Sequence, residues 1–297
     1  MEFSQATYRS TPPPFLGAAV RPAGRRQVLQ ADKATTPHRL PGGFRFRAWT
    51  HGLVTFLLMS GGALGGDGPV PRLKIQVVAT YPHDTSSFTQ GLVWDGGTIL
   101  ESTGRYGYSR IRRLRLESGQ VLLERQLPWK FFGEGLAIVG DRLVQLTWRE
   151  ETALVYDLRT FEEVGRVGYQ GEGWGLTFDG SWLIMSDGSQ TLTFRDPKTF
   201  AVWRRLPVRL EGRPVDRLNE LEFADGFVYA NVWQSTDILK IDPASGQVTA
   251  ILDASALPYR QRSEGEDVLN GIAWIPERKT FLLTGKLWPN IFEVRVE

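Results

Sequence analysis

The stretch EGLAIVGDRLVQLTW, residues 134–148, holds two short alternating runs joined by a Gly-Asp pair. Alternation with a period of two around a tight glycine-containing turn is the pattern of a β-hairpin. Its acid, Glu134, stands just ahead of the first apolar run, where a strand is about to enter a core. The phrase returns as QGLVWDGGTILEST from Gln90, WGLTFDGSWLIMSDG from Trp174, NELEFADGFVYANVW from Asn219 and NGIAWIPERKTFLLTGK from Asn270. The anchoring apolar residues Leu92, Leu136, Leu176, Leu221 and Ile272 follow one another at intervals of 44, 40, 45 and 51 residues.

Two further strand-like runs follow each hairpin, as in RRLRLESGQVLLERQL and LKIDPASGQVTAILD. Four strands in a repeat of roughly 40–45 residues is the signature of a propeller blade. Five copies therefore predict an all-β, five-bladed β-propeller. The fifth copy runs out after one more strand, IFEVRVE, while an orphan strand, LKIQVVATYP at residues 73–82, precedes the first. Pairing the orphan into the last blade would close the ring and remove an open sheet edge. Residues 73–297 are thus expected to form one domain. An open sandwich of similar strands does not explain five copies in phase.

The residues ahead of that domain differ in character. Residues 1–72 carry nine Lys/Arg against three Asp/Glu, whereas 73–297 carry 26 against 30. The body is mildly acidic and lacks the basic face expected of a nucleic-acid binder. Residues 1–43 are rich in Pro, Thr, Arg and Gln and read as a disordered leader. Residues 44–65, FRFRAWTHGLVTFLLMSGGALG, place arginines before an apolar run and small residues after it. This resembles a secretory signal and implies export to the periplasm or beyond, although the leader ahead of it is unusually long. The apolar run is well under the ~20 residues needed to span a bilayer, so no stable membrane insertion of the mature domain is expected. Residues 66–72 read as a linker.

With no cysteine and three histidines, of which only His83 lies in the body, thiolate and multi-histidine metal sites are excluded. A Ser-His-Asp triad would have to use His83. Chemistry falls to carboxylates, lysine, amides and aromatic rings. The first strand of each propeller blade lines the central channel, so residues at one repeat phase converge near the axis. Two positions before the anchor stand Gln90, Glu134, Trp174, Asn219 and Asn270. Four of the five are polar at the start of apolar strands, and burying them without partners would be costly, which points to a solvated or ligand-filled mouth. A second phase, at the end of the second strand, holds Gly104, Trp148, Gly188, Trp233 and Lys286. The second strand runs antiparallel to the first, so these return to the same mouth. One carboxylate, one ammonium, amides and an aromatic wall suit a ligand pocket. Asn270 reads as a turn cap, and Glu172, off phase from Trp174 by two positions, as a surface residue. Phase alone supports a binding site more than a reaction.

FTQGL, FGEGLA, LTW, GWGLT, LNELE, ANVW and TGKLWP, in this order across all five repeats, resemble the motifs of the plant and bacterial type of glutaminyl cyclase (glutamine cyclotransferase). The resemblance covers residues 73–297. It implies a five-bladed propeller that converts N-terminal glutamine of peptides or proteins to pyroglutamate with release of ammonia. Carried over motif by motif, it implies that Glu134 moves the proton. Phe88, Gln90 and Phe132 would be pocket neighbours, Trp148, Trp174 and Trp233 the aromatic wall, and Asn219 and Lys286 the rest of the polar set. Which of Gln90, Asn219 and Lys286 stabilises the oxyanion stays open. No cofactor is implied as required. Some members hold a structural metal in the channel, for which this sequence offers no clear ligand set. The expected partners are peptides or proteins with N-terminal glutamine, acted on by a monomer. The alternative is a non-catalytic propeller that binds peptide N-termini or a partner protein at the same mouth. A metal-dependent lactonase-like hydrolase would need several axial carboxylate and His ligands, where the first phase offers only Glu134.

Overall fold

The computed structural model describes residues 68–259 and 266–297. The chain divides into two units, residues 1–63 and 64–297, and every described residue lies in the second. The leader and signal-like expectations fall outside the described residues.

The described chain is all β. The first repeat forms an antiparallel sheet of β2 (Thr89–Asp95), β3 (Thr98–Thr103), β4 (Arg110–Arg115) and β5 (Val121–Gln126), while β1 (Arg72–Pro82) precedes it. The second contains β6 (Gly133–Val139), β7 (Arg142–Thr147), β8 (Thr152–Asp157) and β9 (Glu163–Gly168). The third contains β10 (Leu176–Phe178), β11 (Leu183–Met185), β12 (Thr191–Arg195) and β13 (Val202–Pro207). A small hairpin of β14 (Arg209–Leu210) and β15 (Arg213–Pro214) leads to β16 (Leu218–Ala224), β17 (Phe227–Val232), β18 (Asp237–Ile241) and β19 (Val248–Asp253). The last repeat supplies β20 (Leu269–Ile275), β21 (Thr280–Gly285) and β22 (Asn290–Val296).

The orphan strand completes this last unit. β1 runs antiparallel to β22, from Ile75 opposite Val296 to Pro82 opposite Asn290. Its first residues also pair parallel with β19, so the fourth and fifth units share one eight-stranded sheet. The first strands touch in sequence, β2 with β6, β6 with β10, β10 with β16 and β16 with β20, and β20 returns to β2.

Local chemistry explains the hairpins. Asp95 pairs with Thr98 across Gly96 and Gly97, both at positive φ, which is the two-residue turn that matches strand twist. Asp157, Asp196 and Asp242 begin the turn between third and fourth strands in three units, each accepting backbone N–H bonds through Oδ1. The apolar faces do not meet in one central core. Among the described residues they form five clusters, one at each seam between neighbouring units. The seam that joins last to first packs Ala273, Ile275, Leu282 and Ile291 on Leu92, Ile99, Leu114 and Leu116.

Close approach of the first strands depends on the glycine of the repeated phrase. A Cβ on Gly175 would lie 2.0 Å from the Asn219 carbonyl oxygen, and one on Gly135 would lie 2.4 Å from the Leu176 nitrogen. The fourth copy carries Glu220 at this position, and its carboxylate accepts from the backbone N–H of Leu92 and of Ile272. The third unit departs from the expected hairpin. Its ladder starts only at Leu176, because the Trp174 carbonyl takes the Gly135 N–H and the Gly175 N–H goes to Ser186 Oγ.

Candidate active site

The site residues stand where strand register breaks. In four units the ladder between first and second strands shifts at the residue two before the anchor: between Thr89 and Gly91, Gly133 and Leu136, Leu218 and Leu221, Leu269 and Ile272. A bulge leaves a residue outside the ladder and re-aims its side chain. The residues freed in this way include Gln90, Glu134, Asn219 and Asn270. Hydroxyls hold two of them by the backbone. Ser102 Oγ donates to the Glu134 carbonyl, and Ser186 Oγ donates to the Asn219 carbonyl at 2.6 Å.

All nine residues expected to form the site line a single cavity of about 510 Å³: Phe88, Gln90, Phe132, Glu134, Trp148, Trp174, Asn219, Trp233 and Lys286. Glu134, Gln90, Asn219 and Lys286 are buried at its base, and the five aromatic residues are half-buried around it. Phe132 lies edge-on to Phe88 at 6.2 Å between centroids and tilted against Trp148 at 5.4 Å. Trp174 meets Trp233 edge-on at 5.9 Å. The wall thus has two halves. Glycines of the second phase make room for it: a Cβ on Gly104 would strike the Phe132 ring, and one on Gly188 the Trp174 indole.

The polar base is ordered by a chain of amides. Asn270 Nδ2 donates to the Thr89 carbonyl at 3.0 Å and to Gln90 Oε1 at 3.1 Å. With its oxygen so engaged, Gln90 turns its amide nitrogen to Glu134 Oε1 at 3.1 Å. Burial pushes the Glu134 carboxyl well above the usual carboxylate range; Lys286 opposes this, and Glu172 and Glu150 add to it. The Lys286 ammonium is pushed down to about 8 by burial, with Glu134 working the other way. Its Nζ lies 4.7 Å from the centroid of Phe88. A carboxyl whose proton affinity is raised by burial and a lysine whose proton affinity is lowered suit proton transfer within a closed pocket.

Three sequence-based readings need correction or addition. Glu172, read as a surface residue, lines the cavity and binds two of its tryptophans. It lies four positions before its anchor, the same phase as Phe88 and Phe132, and that phase would have found it. Asn270, read as a turn cap, is fully buried on β20 and orients Gln90. Arg149 and Glu266 also line the cavity, without a repeat signal to mark them. His83 stands apart from this cavity, its ring nitrogens engaged by Glu101 and the Trp288 carbonyl. Among the described residues no cluster of three or more His, Cys, Asp or Glu is arranged to hold a metal ion.

An all-β scaffold whose repeated first strands meet at an aromatic-walled pocket, with one carboxylate, one ammonium and amides at its base, defines a receptor for one small amide- or amine-bearing group. The chain belongs to the glutamine cyclotransferase family, whose model matches residues 54–296. It is 42% identical over 229 residues to a glutaminyl-peptide cyclotransferase of Arabidopsis thaliana, covering 75% of this chain and 72% of the relative. The crystal structure of Myxococcus xanthus glutaminyl cyclase superposes with a TM-score of 0.73 at 44% identity, over 77% of this chain and 99% of that one.

Proposed function

We propose that the chain is a glutaminyl-peptide cyclotransferase that converts N-terminal glutamine of peptides or proteins to pyroglutamate and ammonia. The observation that carries this reading is the convergence of all nine motif residues on one cavity in a chain of this family. The neutral α-amine attacks the γ-carboxamide carbon of the same residue, the new C–N bond closes a five-membered ring, and the carboxamide nitrogen leaves as ammonia. Both reacting groups belong to one residue, so holding the folded-back conformer supplies much of the acceleration. The rings of Phe88, Phe132, Trp148, Trp174 and Trp233 suit the glutamine methylenes and exclude water. Glu134 takes the proton from the attacking amine and returns it to the departing nitrogen, general base and then general acid. Donors at Gln90, Asn219 and Lys286 are available for the developing oxyanion.

The scaffold is read as a five-bladed propeller. Four-stranded units, five apolar seams and first strands that touch in a closed order support this reading. The chemistry asks for no cofactor, and a structural metal in the channel has no cluster of acidic or histidine ligands to support it among the described residues. Export, through the signal-like residues 44–65, and a monomeric state complete the proposal. Incubation with a Gln-initiated peptide, followed by mass, tests the function. Loss of one ammonia supports it, whereas an unchanged peptide that still binds favours a non-catalytic receptor for peptide N-termini.

A further inference from the structure

The two halves of the aromatic wall, Phe88–Phe132–Trp148 and Trp174–Trp233, belong to different units and make no ring contact with each other within stacking range. One carboxylate joins them. Glu172 Oε2 accepts the indole N–H of Trp148 at 2.8 Å and that of Trp174 at 3.0 Å. Its other oxygen accepts from Arg149 Nε at 2.9 Å, and the Arg149 guanidinium lies 3.8 Å over the Trp148 ring. The two indoles are therefore tied to a single oxygen, while the arginine holds the carboxylate from the far side. Each indole is a donor only, and its N–H fixes the in-plane rotation of the ring. Burial works against ionisation of Glu172, but the two indole donors and Arg149 more than offset it, so the group stays an anion near neutrality.

We propose that Glu172 is a positioning residue of this pocket: by accepting from Trp148 and Trp174 together it sets the angle between the two aromatic halves, and with it the space in which the substrate side chain folds back. This rests on the cyclotransferase reading for its consequence in turnover, though not for its geometry. A bland alternative exists. Arg149 and Glu172 could form only a rim ion pair, which contributes little at such exposure. The alternatives differ in what they couple to. A rim pair acts independently of the indole N–H groups, whereas a positioning carboxylate acts only through them.

The test is a double-mutant cycle on the full chain. Glu172→Leu is expected to lower kcat/KM for a Gln-initiated peptide about tenfold or more, the order expected when a charged hydrogen-bond acceptor is removed. Glu172→Gln keeps an oxygen that can face both donors and is expected to restore activity to within about threefold of wild type. In a Trp148→Phe/Trp174→Phe background, which keeps rings but lacks both N–H groups, Glu172→Leu should cost less than about twofold more. The proposal is overturned if Glu172→Leu stays within twofold of wild type, or if its full loss carries into the double-Phe background. A second readout needs no activity. The indole N–H resonances of Trp148 and Trp174, assigned from the single Phe variants, should both move in Glu172→Leu, and unmoved resonances also overturn the proposal. A wild-type protein that releases no ammonia defeats the functional reading alone, and the resonances then decide the role of Glu172.

Discussion

Glu220 is the site at which the closed order of first strands can be loosened most selectively. The other four copies carry glycine there, at Gly91, Gly135, Gly175 and Gly271. Glu220 is buried on β16, and its oxygens accept the Leu92 N–H of β2 at 3.2 Å and the Ile272 N–H of β20 at 2.9 Å. One side chain thus satisfies backbone donors in two other units. Glu220→Ala leaves both donors buried without an acceptor, at about 1–3 kcal/mol each, or about 2–6 kcal/mol together. That is a large part of the roughly 5–15 kcal/mol that stabilises a typical domain. At about 2–4 °C per kcal/mol for a domain of this size, the melting temperature should fall by at least about 4 °C. Glu220→Gln keeps one accepting oxygen and should fall between.

The pH dependence sharpens the test of this staple. Burial, with Glu222 nearby, pushes the Glu220 carboxyl well above its usual range, against the two backbone donors. A raised folded value means that its stabilising contribution is full below the unfolded value of about 4.5 and fades as pH rises through the folded value. Glutamine does not titrate, so the gap between wild type and Glu220→Gln should be widest near pH 4.5 and narrow as pH rises. Thermal unfolding followed by near-ultraviolet circular dichroism across this range reads both effects. A Glu220→Ala variant that melts within about 2 °C of wild type would refute the staple, since even one orphaned donor costs more than that.

Three other outcomes are expected. The buried His83 ring would be lowered by burial, but the Glu101 carboxylate at 2.9 Å more than offsets this and raises it, while Glu101 itself is lowered. Their joint contribution is full between about pH 4.5 and 6.5 and fades above, so the melting gap to His83→Gln should shrink at alkaline pH; a flat gap contradicts it. Lys286, pushed down to about 8 by burial, loses its charge as pH rises through that value. Lys286→Arg keeps the charge, so an alkaline fall in kcat/KM near that pH should move upward, and an unmoved limb would show that the charge is not used. Gly175→Ala sets a Cβ 2.0 Å from the Asn219 carbonyl oxygen, and the urea midpoint should drop by the equivalent of about 1–3 kcal/mol.

Strand positions and convergence were legible because a period of two and a fixed repeat phase determine which side chains share a face and an end. The orphan strand was legible because an unpaired edge needs a partner, and β22 supplies it. Other features depend on geometry between units, which no single repeat encodes. The bulges at Gln90, Glu134, Asn219 and Asn270 fall where the register between first and second strands shifts. The shortened third hairpin arises likewise, since Gly175 gives its N–H to Ser186. At Asn270 a turn cap and an amide relay call for the same residue type, and only its bond to Gln90 tells them apart. Glu172 reads as a surface residue against the phase of Trp174, and only the phase shared with Phe88 and Phe132 places it at the cavity. Glu220 stood in plain view as the one non-glycine at its position, but its reach to Leu92 and Ile272 follows only from the closed order of strands.

The central claim is that this pocket closes N-terminal glutamine on itself with Glu134 carrying the proton. Ammonia release from a Gln-initiated peptide, compared between wild type and Glu134→Gln of matched melting temperature, tests it most directly. Wild type should convert the peptide with loss of one ammonia, and Glu134→Gln should be slower by about 10²–10⁴-fold, the range for a general acid–base group. Near-wild-type turnover by Glu134→Gln would contradict the account.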